Sequence, residues 1–161
     1  MRRFATLALT LASFASPLAA QSHPDFSGKW ALDTKASEGP MMPQAMVVVV
    51  TQDAKKLKVE NTSTMAMGEQ KMEQTSTLTY NLDGSVAKNT VSAMGGTLDL
   101  ASTSAWDAST LVITTKVDLP NGQMTQVDHW AMAPDGKSLK MTRDLSVAGQ
   151  SVAIKMVLLK Q

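Results

Sequence analysis

The stretch Pro134-Asp135-Gly136-Lys137-Ser138-Leu139-Lys140-Met141-Thr142-Arg143-Asp144-Leu145-Ser146-Val147 decides the fold class. Asp135-Gly136 is a dipeptide that supplies the backbone of a tight turn. Beyond it, Leu139, Met141, Arg143, Leu145 and Val147 fall on one face of an extended chain. Lys140, Thr142, Asp144 and Ser146 fall on the other, the period of two expected of a half-buried strand. The same turn-and-strand grammar repeats in both directions. Turn signals stand at Asp53-Ala54, Asp83-Gly84, Gly95-Gly96, Trp106–Thr110, Asn121-Gly122 and Ala148-Gly149-Gln150. Between them the pattern predicts strands near 28–32, 45–52, 56–62, 72–80, 85–91, 97–105, 111–118, 123–132, 138–147 and 151–159, with a hairpin over Asp83-Gly84. The segment 34–43, with Gly39, Pro40 and Pro43, reads as irregular, and Asp33 or Ser37 could cap a short helical turn in it. No long window repeats apolar residues at helical spacing. Sequentially connected strands pair with their neighbours, and a meander of this length closes on itself to bury its edges. The expectation is an all-β chain, a single antiparallel up-and-down barrel of about 8–10 strands.

The first twenty residues read as a secretory signal. Arg2 and Arg3 precede an apolar run from Phe4 to Phe14, too short to span a bilayer. Ser16-Pro17-Leu18-Ala19-Ala20 provides a breaker and small residues, which places cleavage after Ala20; a cut two residues later and an uncleaved anchor are the alternatives. The expected organisation is a signal over 1–20 and one barrel domain over 21–161, in a periplasmic or secreted bacterial protein. Taking 20 from 161 residues leaves 141; taking Arg2 and Arg3 from 15 basic residues leaves 13 against 14 acidic ones, a net charge of −1. Such a chain lacks the clustered cations of a nucleic-acid interface, and no later stretch predicts a membrane span. There are no cysteines, which excludes disulfides, thiolate nucleophiles and Cys-based metal sites.

Alternation also sorts the polar residues. Leu57 and Val59 share a face with Asn61 and Ser63; Leu78 and Tyr80 with Gln74 and Ser76. Leu98 and Leu100 share one with Ser102 and Ser104; Met124, Trp130 and Met132 with Gln126 and Asp128. A packed core would not take so many polar groups without pairing them. Either the barrel has an apolar closed end and a wetter, hollow end, or the register is slipped by one and these groups face out. On the first reading Gln74, Ser76, Tyr80, Ser102, Met124, Gln126 and Met132 line a cavity for a small apolar or amphipathic ligand.

Near the N-terminus stands Asp25-Phe26-Ser27-Gly28-Lys29-Trp30, followed by Leu32-Asp33 and Lys35-Ala36-Ser37. With Trp106-Asp107, Thr110–Ile113, His129-Trp130 and Pro134–Leu139, this opening resembles a set of secreted bacterial lipocalin-like β-barrel proteins of unknown function. The resemblance implies a lipocalin/calycin-like fold and is silent on activity. In lipocalins a Gly-x-Trp strand closes the barrel base under a late arginine. Gly28, Trp30 and Arg143 could fill those parts, with Arg143 stacked over Trp30.

Catalytic constellations are poor, and no enzyme and no cofactor are expected. No Gly-x-Ser-x-Gly elbow exists. Asp128 and His129 are adjacent on a predicted strand and point to opposite faces, so the one cannot orient the other. Asn61-Thr62-Ser63 matches a glycosylation acceptor by coincidence. Methionine is the compositional outlier, with 12 residues. Met41, Met42 and Met46 form one cluster and Met65, Met67 and Met72 another; thioethers suit Cu(I), but also line pockets and fill cores. The alternatives to a ligand carrier are therefore an envelope interaction module with a filled core, or a Met-based copper handler.

Overall fold

In the computed structural model, residues 23–161 are described, apart from 41, 69, 94 and 121. The segment read as a signal lies outside them. Ten strands follow in order: β1 (Gly28–Leu32), β2 (Ala45–Gln52), β3 (Lys56–Met67), β4 (Gln70–Asn81), β5 (Ala87–Ala93), β6 (Gly96–Asp107), β7 (Thr110–Leu119), β8 (Gly122–Met132), β9 (Ser138–Val147) and β10 (Gln150–Lys160). They form one antiparallel sheet ordered β4-β3-β2-β1-β10-β9-β8-β7-β6-β5. The first and last strands pair through Trp30 and Lys160, so β1 and β10 meet in the middle of the sheet. The sheet curls until its edge strands β4 and β5 come together, a nearly closed up-and-down barrel.

That closure corrects the hairpin expected over Asp83-Gly84. β4 and β5 are the two edges of the sheet and share no backbone ladder. The connecting residues spend their hydrogen bonds elsewhere: Leu82 N–H donates to Lys55 O at 2.7 Å, and Asp83 Oδ1 accepts from Ser85 N–H at 2.9 Å. Ser85 is thus held in the turn, and β5 starts at Ala87 rather than at 85. Side chains bridge the seam instead. Thr79 N–H donates to Asn89 Oδ1 at 2.8 Å, and Asn89 Nδ2 donates to Thr79 O at 2.9 Å.

β3 and β4 run further than their sequence patterns suggest, pairing out to Met67 and Gln70 across Gly68, whose φ of 64° makes the turn. In the segment after β1, Asp33 Oδ1 accepts from Lys35 and Ala36 N–H as a cap would, but the turn it closes is not helical. That segment then extends the pairing along β10 through Glu38 and Lys155. Gly39 fits there because a β-carbon would come within 3.0 Å of the Ile154 backbone.

The core gathers at one end. Trp30, Phe26, Leu57, Leu111, Leu139 and Leu158 are fully buried there. Phe26 lies outside the sheet and plugs it. Its ring stacks at 5.9 Å on Trp106 and meets Trp130 edge-on at 5.8 Å, while His23 stacks on the same Trp106 at 4.1 Å. Gln52 ties this segment down, accepting from Phe26 N–H and donating to Pro24 O, both at 3.0 Å. The Trp30 indole donates to Phe26 O at 2.9 Å.

Candidate functional site

Above this plug the barrel is hollow. A cavity of about 390 Å³ fills its middle, within the range of small-molecule sites (roughly 300–1,000 Å³). Its wall is built by the inner faces of the strands, in the register that alternation indicates. Val48, Val59, Leu78, Leu100, Val117 and Met156 supply apolar surface; Asn61, Gln74, Ser76, Thr115 and Gln126 supply uncharged polar groups. No register slip has moved the polar groups outward.

Five of the seven residues expected to line the cavity do so: Gln74, Ser76, Tyr80, Met124 and Gln126. Two lie elsewhere. Ser102 is buried beside the cavity with its hydroxyl bonded to that of Thr115 at 2.8 Å. Met132 sits two residues beyond Trp130, toward the closed end, and packs against the core. Ser104, also inward, donates to Asn81 O.

The cavity's charges form one compact group. Arg143 Nε donates to Asp128 Oδ1 at 2.7 Å and its Nη2 to Oδ2 at 3.1 Å. Gln126 Nε2 donates to the same Oδ2 at 2.7 Å. The Asp128 side chain is 3 % exposed and that of Arg143 31 %, so the pair is shielded from solvent on the carboxylate side. Burial alone would weaken the guanidinium's hold on its proton; the Asp128 charge and hydrogen bonds, with a smaller contribution from Tyr80, reverse this and hold its pKa above the ordinary value. Tyr80 is pushed the same way. Burial raises its phenol well above the usual range, the Asp128 charge adds to this, and Arg143 opposes it. The phenol therefore stays neutral as a hydrogen-bonding group.

Arg143 accordingly does not cover Trp30. It pairs with Ile154 on β10, whereas Trp30 pairs with Lys160, six residues further along the strand, about 20 Å. Alternation correctly placed the guanidinium inside, but the partner that satisfies it is Asp128. The cation over Trp30 is Lys160, with Nζ 5.4 Å from the ring. Gly28 keeps its expected part: with φ of 140°, a β-carbon there would press on the Lys160 stem at 3.2 Å.

The remaining candidates separate. His129 pairs with Val112 and Thr142 on the outer face, while Asp128 faces in; the two do not assemble. Met65 and Met72 are cross-strand partners near the β3–β4 turn, Met72 largely exposed, and the side chain of Met67 lies outside the described residues, as does Met41. Met42 packs against the core and Met46 lines the cavity. Asn61 of the Asn61-Thr62-Ser63 pattern faces the interior.

No family model matches this chain, and no curated protein matches it significantly. Solved structures do. A REP1-NXSQ fatty acid transporter is similar over 84% of this chain and 95% of its own, at 10% identity and a TM-score of 0.56. A secretory abundant heat soluble protein from Ramazzottius varieornatus is similar over 88% and 98%, at 12% identity and a TM-score of 0.56. Zebrafish ileal bile acid-binding protein, solved with cholic acid, is similar over 84% and 98%, at 14% identity and a TM-score of 0.50. The fold is a lipocalin/calycin-like barrel. At these identities the likeness speaks for architecture alone.

Proposed function

We propose that this barrel is a carrier or sensor of a small amphipathic molecule, acting in the bacterial periplasm or outside the cell, and that it performs no catalysis. The cavity carries this reading: it is walled by apolar side chains with a few convergent polar groups, in a barrel closed at one end by aromatic rings. The mouth fits too. Met72, Val147 and Val152 lie toward the open end on inner-face positions and are among the exposed large apolar residues, an apolar path for a lipid-like molecule. An interaction module with a filled core would need an interior without this space. The fold-sharing fatty acid transporter and bile acid-binding protein lend general support. The location rests on the charged and apolar N-terminal segment.

Trp130 lines the cavity and its indole reports occupancy. Titration of the purified barrel with an environment-sensitive apolar dye is expected to quench or shift indole emission with saturable stoichiometry. Replacing both Ser76 and Leu98 in the cavity wall by Phe, which puts two rings into the space, is expected to weaken dye binding markedly while leaving the fold intact by circular dichroism. Unsaturable binding, or binding unchanged in the narrowed cavity, would overturn the proposal. Fractionation of the host tests the location: a protein retained in the cytoplasm with residues 1–20 still attached would remove it.

A further inference from the structure

Among the described residues, Arg143 and Asp128 are the charged side chains in the cavity wall, and they are already bonded to each other. The cavity is therefore electrically neutral where an unpartnered arginine would have made it cationic. A carboxylate entering it would meet the Asp128 charge beside the Arg143 charge, so attraction and repulsion largely offset, while its own desolvation stays uncompensated. An uncharged head has no such cost. The wall's other polar groups, Asn61, Gln74, Ser76, Thr115 and Gln126, are uncharged. Their hydroxyls and carboxamides both donate and accept, as a hydroxyl or carboxamide head does, whereas a carboxylate only accepts.

We propose, given that the cavity takes an amphipathic molecule at all, that its ligand carries an uncharged hydroxyl or carboxamide head. The barrel then selects against free carboxylates of the same chain length, and Asp128 sets that selectivity. Gln126 is a positioning residue in this scheme, holding Asp128 Oδ2.

The test uses three molecules sharing one alkyl chain, decanol, decanamide and decanoate, titrated against the wild-type barrel by calorimetry or indole emission. At neutral pH decanol and decanamide are expected to bind more tightly than decanoate by about tenfold or more. Decanoate affinity should rise as acidification converts it to the uncharged acid, while decanol affinity stays level over that range. In Asp128→Asn the Arg143 charge is no longer neutralised, and decanoate should gain on decanol by about tenfold. If that variant does not fold, the wild-type pH series decides. Decanoate binding as tightly as decanol at neutral pH would overturn the head-group assignment and leave the binding function standing. Failure of all three to bind would remove both.

Discussion

Tyr80 is the only tyrosine of the chain, so its ionisation can be followed without interference. Its burial, reinforced by the Asp128 charge, raises the folded-state pKa above the ordinary value of 10.0. A raised acid binds its proton more tightly when folded. Its contribution to stability is therefore complete below pH 10 and is lost as the pH climbs from there through the folded value. Phenolate absorbance of the native barrel should stay flat about one unit past the ordinary midpoint, while the denatured chain titrates normally; a native midpoint near 10 would show that Tyr80 is in contact with bulk water. The neighbouring pair gives a second outcome. Asp128→Ala leaves the Arg143 guanidinium without its carboxylate, and the expected loss is about 2–4 kcal/mol in denaturant unfolding. Replacing both residues by uncharged ones, Asp128→Asn with Arg143→Gln, should cost less than the single change, because no buried charge is left unpaired. These residues also show the limit of sequence reading at this scale. Alternation put Arg143 and Asp128 on inner faces correctly. It is silent on depth along the barrel, and depth is what separates Arg143 from Trp30 and joins it to Asp128.

Strands were largely legible because each obeys the period of two and is bounded by turn residues. β1, β2 and β9 fall where the pattern ends them. β3 and β4 overran it because their tips, Met65 with Met72 and Ala66 with Lys71, ladder in a stretch where neither face is consistently apolar. Backbone pairing there needs no alternation. The turn joining β9 and β10 was also legible, yet its strain was not. Ala148 and Gly149 both adopt positive φ, 50° and 81°, the geometry of a two-residue turn that matches the twist of its strands. Glycine takes that conformation freely; alanine pays for its β-carbon. Ala148→Asn installs the residue pair that favours this turn and should stabilise the barrel by about 1 kcal/mol. Gly149→Ala should destabilise it by a similar amount, and thermal melts of the two variants would move in opposite directions. Equal melting temperatures would mean that the turn relaxes at no cost.

Closure of the molecule was the part the sequence left least visible. An up-and-down meander predicts that neighbours pair, and eight of the nine consecutive connections follow that rule, but the break has to fall somewhere. Nothing in Asp83-Gly84 distinguishes a turn between laddered strands from a turn between the edges of a barrel. Asn89 carries the distinction, since its amide imitates a backbone group toward Thr79 in both directions. Neither residue advertises this in a period-two pattern, because the contact is sideways between edges rather than inward or outward. The seam has a consequence for the whole barrel. Val91 and Leu98 on one side and Gln74, Ser76 and Leu78 on the other line the cavity, so parting of β4 from β5 would open its wall. Local opening concentrates where backbone hydrogen bonding is sparse. Asn89→Ala removes both bonds and should cost about 1–2 kcal/mol. Amide exchange should accelerate along β4 and β5 and stay unchanged in β9 and β10, which keep ladders on both sides. Dye release from the loaded cavity should also quicken. If exchange rises uniformly over all ten strands instead, the barrel opens only by unfolding as a unit, and the seam is no weaker than the sheet it closes.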